Sequence, residues 1–175
     1  MGITTCGRHK SKKTGGKRNK MQKKRKNMMG RQPSNTRIGE ERIKQVRCRG
    51  GNYKMRCLRI NYGDFSIYNG NEYFNDKTNI EQVIYHPSSN ELMRTNTITK
   101  SAVVKIKATE GMKEAVKSLS TKFTDKVLNV MAERGFFYAI ITSRPGQCGN
   151  ISGYVLQGEE LEFYQNKLKK GRIEV

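Results

Sequence analysis

RIKQVRCRGGNYKMRCLRI, residues Arg42 to Ile60, alternates in the manner of two strands on either side of a turn. Gly50-Gly51-Asn52 separates Arg42–Arg49 from Tyr53–Ile60, and such residues supply the positive backbone angles that a tight hairpin requires. Val46 and Cys48 alternate with Arg47 and Arg49, and Met55 and Cys57 with Lys54 and Arg56. A period of two predicts one face that packs and one that presents guanidinium and ammonium groups. A solvated basic face would suffice for an isolated pair of charges. Here the charge continues upstream without a break.

From Arg8 to Arg59, 20 of 52 positions are Lys or Arg, and the acids are Glu40 and Glu41 alone. The front half, Arg8 to Arg31, has no acid, almost no large apolar residue, and the pair Gly15-Gly16. Such a segment cannot bury enough apolar surface to offset the entropy of ordering its backbone, so in isolation it is expected to be disordered. Gln32-Pro33-Ser34-Asn35 and Gly39 mark the entry to the folded part. The organisation predicted is a basic extension over residues 1–41 and a single globular domain over residues 42–175.

The formal net charge is +20, of which residues 1–60 carry +18 and residues 61–175 carry +2. This asymmetry calls for a polyanion or an anionic membrane. Membrane is the poorer partner, because no apolar run is long enough to span a bilayer and the arm has no apolar face. Met-Gly-Ile-Thr-Thr-Cys departs from a myristoylation signal at Cys6, where Ser or Thr is required. With no apolar signal-peptide core, an intracellular setting is expected, and Asn150-Ile151-Ser152 then has no meaning as a glycosylation site.

Downstream, Tyr62 to Lys77 reads as a polar loop with a short strand at Phe65–Tyr68, its aromatics packing rather than stacking on bases. Ile80–Tyr85 reads as a strand, His86–Asn90 as a turn, Glu91–Ile98 as the partner strand, and Ser101–Ala108 as another. Met112 to Arg134 carries an apolar stripe (Val116, Leu119, Phe123, Val127, Val130, Met131) at helical spacing. Phe136–Thr142 reads as a central strand, Ser143–Gly149 as a tight loop, and Gly153–Leu156 as a strand. Glu159–Lys170 reads as a helix with its acids first and its lysines last, which suits the helix dipole.

Catalytic chemistry is hard to assemble. Gly16-Lys17 is not a phosphate loop, since Ser11 stands at its first glycine position and Arg18 where magnesium needs a hydroxyl. Cys6, Cys48, Cys57 and Cys148 form no CxxC pair, and His9 and His86 lie in unrelated contexts, so no metal site is expected. Cys148 lacks a nominated base, which favours a structural turn residue. The basic arm remains the positive signal. Lys and Arg neutralise phosphates and release counterions, and Arg adds bidentate geometry and stacking. A thin basic peptide can enter the narrow spaces of a folded RNA.

RHKSKKTGGKR, KKRKNMMGRQPSNTRIG and RIKQVRCRGGNYKMRCLRINYGDFSI, followed by NELMRTNTITKSAVVKI and SRPGQCGNISGYVLQGEELEFYQNKLKK, resemble a known family. It is that of ribosomal protein eight of the eukaryotic and archaeal small subunit, the e-type protein rather than its bacterial namesake. The resemblance covers nearly the whole chain, with its motifs in order. It implies a mainly β fold with a compact antiparallel β-barrel-like core, a long amphipathic helix, a C-terminal helix and an extended basic N-terminal arm. It implies a structural constituent of the small ribosomal subunit, without catalytic activity, cofactor or small-molecule substrate. Its partners would be small-subunit rRNA and neighbouring ribosomal proteins, in the cytoplasmic ribosome and, during assembly, the nucleolus. The implied rRNA contacts are Arg8, Lys10, Lys13, Lys17, Arg18, Lys24, Arg25, Lys26, Arg31, Arg37, Arg47, Arg49 and Arg56, with Arg144 and Gln147 in the matching carboxyl-terminal loop. Eukaryotic members carry a longer charged insertion that here is reduced to the helix around Lys113–Arg134. A ribosome-biogenesis factor sharing the domain is the alternative.

Overall fold

In the computed structural model, β1 (Arg42–Arg47) and β2 (Tyr53–Arg59) pair antiparallel as a sheet of their own. A single turn at Arg49–Gly51 joins them, with Gly50 at φ 74° and Gly51 at φ 81°, angles that a side chain would resist. The structure describes residues 2–7, 10–19, 23–68, 70, 72–119 and 126–170.

Beyond the hairpin come β3 (Tyr62–Tyr68), β4 (Tyr73–Tyr85), α1 (Asn90–Arg94), β5 (Val103–Lys107), α2 (Glu110–Leu119), α3 (Lys126–Arg134), β6 (Phe136–Ile141), α4 (Pro145–Cys148), β7 (Ser152–Val155) and α5 (Gly158–Lys170). Strands β3 to β7 close into a barrel in sequence order. Each neighbouring pair is antiparallel except the closing seam, where β7 runs parallel to β3 with Phe65 opposite Gly153. Alternate residues fill the interior: Phe65 and Ile67 from β3, Val104 and Ile106 from β5, Phe137, Ala139 and Ile141 from β6, all fully buried. Gly153 is what lets the seam close. A Cβ there would run into the Ile140 carbonyl and come within 3.0 Å of the Phe65 ring.

The mainly β, barrel-cored architecture is the expected one, and three local expectations change. Tyr62–Lys77 is not a polar loop but the β3–β4 hairpin, in which Gly63, Phe65, Ile67, Thr78 and Ile80 point inward. The polar residues between them face solvent, as on one side of an antiparallel sheet. Glu91–Ile98 is not the partner of β4. Ser89 Oγ accepts a hydrogen bond from the Glu91 N–H at 3.2 Å and starts the short helix α1, while β5 takes the partner position. The span expected as one long helix contains α2 and α3, which pack on one another. In one straight helix their nearest ends would be roughly 10 Å apart. Of the expected apolar stripe, Val116 and Met131 are buried and Phe123 lies outside the described residues, but Val127 and Val130 are exposed, because α3 turns the face of Leu128 and Met131 to the core instead.

Candidate nucleic-acid interface

The arm pairs with itself through backbone groups. Thr5 N–H donates to the Met28 carbonyl at 2.9 Å and Gly30 N–H to the Ile3 carbonyl at 2.8 Å. Residues 12–16 form a turn, with Lys12 N–H on the Gly16 carbonyl at 2.8 Å and Gly15 at φ 84°. Because these bonds use main-chain atoms, the side chains point outward. Lys10, Lys13, Lys17, Arg18, Lys24, Arg25 and Lys26 are all exposed, and Arg8 lies outside the described residues.

The hairpin register overturns the expected division into an apolar and a basic face. Val46 sits opposite Lys54, and Gln45 opposite Met55. The apolar positions of the two strands therefore fall on different sides of the ribbon, because a one-residue offset in register exchanges faces. Lys44, Lys54 and Arg56 share one side with Val46, while Arg47 shares the other with Ile43, Met55 and Cys57. Positive charge is presented on both.

Two cross-strand pairs join like charges, Lys44 opposite Arg56 and Arg42 opposite Arg59. Arg37 pairs with Arg59 in turn, so three exposed arginines lie side by side at the base of the hairpin. Directly opposed like charges are destabilising in a free sheet. Among the described residues no base from Lys10 to Arg59 sits in an ion pair. The Glu41 carboxylate accepts instead from the Tyr62 hydroxyl, which raises the Tyr62 pKa.

A second group forms where chain entry, hairpin and α4 meet. Arg31 Nη2 donates to the Arg47 carbonyl and Arg56 Nη1 to the Gln32 carbonyl, both at 2.6 Å. Lys54 Nζ donates to Gln147 Oε1 at 3.3 Å. These four side chains line a cleft of about 160 Å3, and a neighbouring groove of about 470 Å3 runs past Lys44, Arg47 and Arg56. The loop is held close by Gly149, at φ 86°, where a Cβ would lie 2.5 Å from that of Met55. Gln147 thus joins the hairpin although it lies 93 positions from Lys54. Arg144 is exposed and outside the cleft. Its carbonyl accepts from the Gln147 N–H at 2.8 Å and the Cys148 N–H at 3.0 Å, a role in shaping the loop. Arg49 projects from the hairpin turn, exposed.

Other chemistry finds little support here. Cys148 Sγ donates to the Arg144 and Asn150 carbonyls at 3.1 and 3.3 Å. Burial pushes the Cys57 thiol up to about 11, which keeps it protonated. Among the described residues no three His, Cys, Asp or Glu side chains gather as a metal site, and no helix is long and apolar enough to cross a membrane.

A family model described as ribosomal protein S8e matches residues 5–156. The chain belongs to the ribosomal protein S8e family. It is 45% identical to small ribosomal subunit protein eS8A of Schizosaccharomyces pombe, over 96% of this chain and 98% of the relative. Identity is 44% to eS8A of Saccharomyces cerevisiae, with the same coverage, and 42% to eS8 of Theileria annulata, over 99% of this chain and all of the relative. The yeast alignments extend over 198 positions against 175 residues here, so those S8e proteins carry residues with no counterpart in this chain. The S8e match spans arm, hairpin and barrel and ends at Leu156, before α5. Four bases of the cluster, Arg42, Lys44, Lys54 and Arg59, are absent from the contacts expected from sequence. The signal available for them was the unbroken run of charge, and their pairing emerges only from the register.

Proposed function

We propose that the protein is a structural constituent of the small ribosomal subunit and binds small-subunit rRNA through its arm and hairpin. Membership of the S8e family supports the first part, together with relatives that are small ribosomal subunit proteins over nearly their full length. The opposed bases Lys44/Arg56 and Arg42/Arg59 carry the second, since repulsion inside a hairpin is relieved when phosphates lie between the charges. The exposed arm bases extend the contact, Arg31, Lys54, Arg56 and Gln147 form a cleft for a backbone phosphate, Arg47, Arg49 and Arg144 neighbour it in sequence, and Arg37 adds to the arginines at the hairpin base. The role is to hold rRNA in the subunit body and support assembly and translation, with no catalytic step. The protein resides on the cytoplasmic ribosome and in the nucleolus during assembly, beside other small-subunit proteins.

Binding of the full chain to a small-subunit rRNA fragment across a salt series tests this reading. Neutralising six phosphates gives a log–log slope of roughly −4 to −5. A slope near zero would sink the electrostatic account.

A further inference from the structure

Although the chain carries a net +20, Ile60 to Asp76 and Pro145 to Asn166 contain no base, and no other base-free stretch is as long. Together they hold six carboxylates: Asp64, Glu72, Asp76, Glu159, Glu160 and Glu162. The fold sets the two stretches side by side. Strand β3 pairs with β7 at the barrel seam, Ser66 opposite Tyr154, and Gln157 Nε2 donates to the Tyr68 carbonyl at 3.0 Å. The Tyr154 hydroxyl donates to the Glu160 carboxylate at 3.4 Å.

Aromatic rings stand at the end of this side. Phe65 and Ile67 fill the core, so Tyr68 and its cross-strand partner Tyr73 face outward, with ring centres 5.0 Å apart. Tyr73 is 72% exposed, Tyr68 41% and Phe74 38%. A cross-strand pair steadies the hairpin end but leaves most of the Tyr73 ring open. The tip is held in place, because the Phe74 ring packs so tightly on Gly111 that a Cβ there would lie 2.6 Å from it. Lysines cover the rings of Tyr62, Tyr85, Phe136 and Phe163, yet among the described residues no cation lies over Tyr68, Tyr73 or Phe74.

Open rings among acids select a cation. A nucleobase would stack on Tyr73, but its phosphates would then lie near Glu72, Glu159 and Glu160 with no base to neutralise them. An uncharged apolar partner would desolvate Glu72 and Glu159, which are exposed and in no ion pair among the described residues. A guanidinium group stacks on an aromatic face and pairs with a carboxylate at the same time. The tip also lies at the far end of β3 from the basic hairpin, roughly 20 Å along the strand. We infer that the β3–β4 tip docks an arginine-bearing segment of a neighbouring protein. The site does not rest on the rRNA-binding reading.

The test uses the full chain without RNA and, as the probe, a peptide of alternating arginine and glycine carrying an uncharged dye. The chain's own positive charge repels such a peptide, so binding reports a local site. Glu72→Gln with Tyr73→Leu weakens it roughly ten-fold or more, whereas Glu133→Gln on α3 leaves it unchanged. The double variant keeps the parent's affinity for oligouridine. A benzophenone in the peptide cross-links to Tyr68, Tyr73, Phe74 or the start of α5. Equal binding by the double variant, an equal loss with Glu133→Gln, or cross-links elsewhere would each overturn the inference. Photo-cross-linking of thiouridine RNA to Tyr73 would overturn it too, by making the tip an RNA surface. So would self-association of the free chain that the double variant abolishes, since the occupant would then be a second copy. Should the double variant fail to melt cooperatively, the cross-link map on the unaltered chain decides alone.

Discussion

Lys44 and Arg56 face each other across the hairpin with no acid between them, so the charges proposed to hold rRNA also repel one another in the free fold. Removing Lys44 separates the two effects. Lys44→Gln should leave stability unchanged or raise it by up to about 1 kcal/mol, since a like-charge pair disappears. The same change should make the salt slope for rRNA shallower by about one unit. Thermal melting and a salt titration measure the pair of outcomes. A lower melting temperature with an unaltered slope would identify Lys44 as a packing residue instead. His86 gives a second residue-scale prediction. Its Nδ1 accepts from the Ser88 N–H at 3.2 Å, so Nε2 bears the proton and donates to Thr99 Oγ1 at 2.8 Å. Burial lowers its pKa below the ordinary value of about 6.5. As pH falls below that value the unfolded chain takes up a proton that the folded chain resists, so stability present at neutral pH declines. Urea denaturation at neutral and mildly acidic pH should show this decline, and His86→Gln should lack that component.

Among the elements, β7 makes the barrel depend on one glycine. Gly153→Ala places a methyl group against the Ile140 carbonyl, which is backbone and cannot rotate away. Overpacking at such a point costs about 1–3 kcal/mol, several degrees of melting temperature in a chain of this size. A variant that melts with the parent would show the seam to be looser than its geometry implies. The sequence made β1, β2, β5, β6 and α5 legible because each has a clean period or a turn at its end. It concealed only the extent of β3 and β4: Phe65–Tyr68 and Ile80–Tyr85 read as strands, but Asp64, Asn75 and Lys77 face solvent and dilute the apolar signal between them. It concealed α1 as well, since Ser89-Asn90-Glu91 is a helix start only if the cap outweighs the following Leu-Met pair. The faces of the hairpin could not be read at all, because pairing register is a property of two strands and alternation a property of one. The same limit applies to the contact of Lys54 with Gln147.

For the whole molecule, the decisive feature is that +18 of the charge lies in residues 1–60 while the barrel half is nearly neutral. The charge proposed to grip rRNA is thereby carried by the arm and the β1–β2 hairpin rather than by the barrel. Deleting Thr4–Arg31 should leave cooperative melting of the remainder intact, because the barrel core draws on none of these residues. It should abolish stable incorporation into ribosomes, and loss of cooperative melting would instead make the arm part of the fold. The most direct measurement is sedimentation of a tagged copy in a cell extract before and after a high-salt wash. The account predicts retention in washed small subunits and in translating ribosomes. Migration only with precursor large subunits, as expected of an assembly factor, or absence from every ribosomal fraction would contradict it.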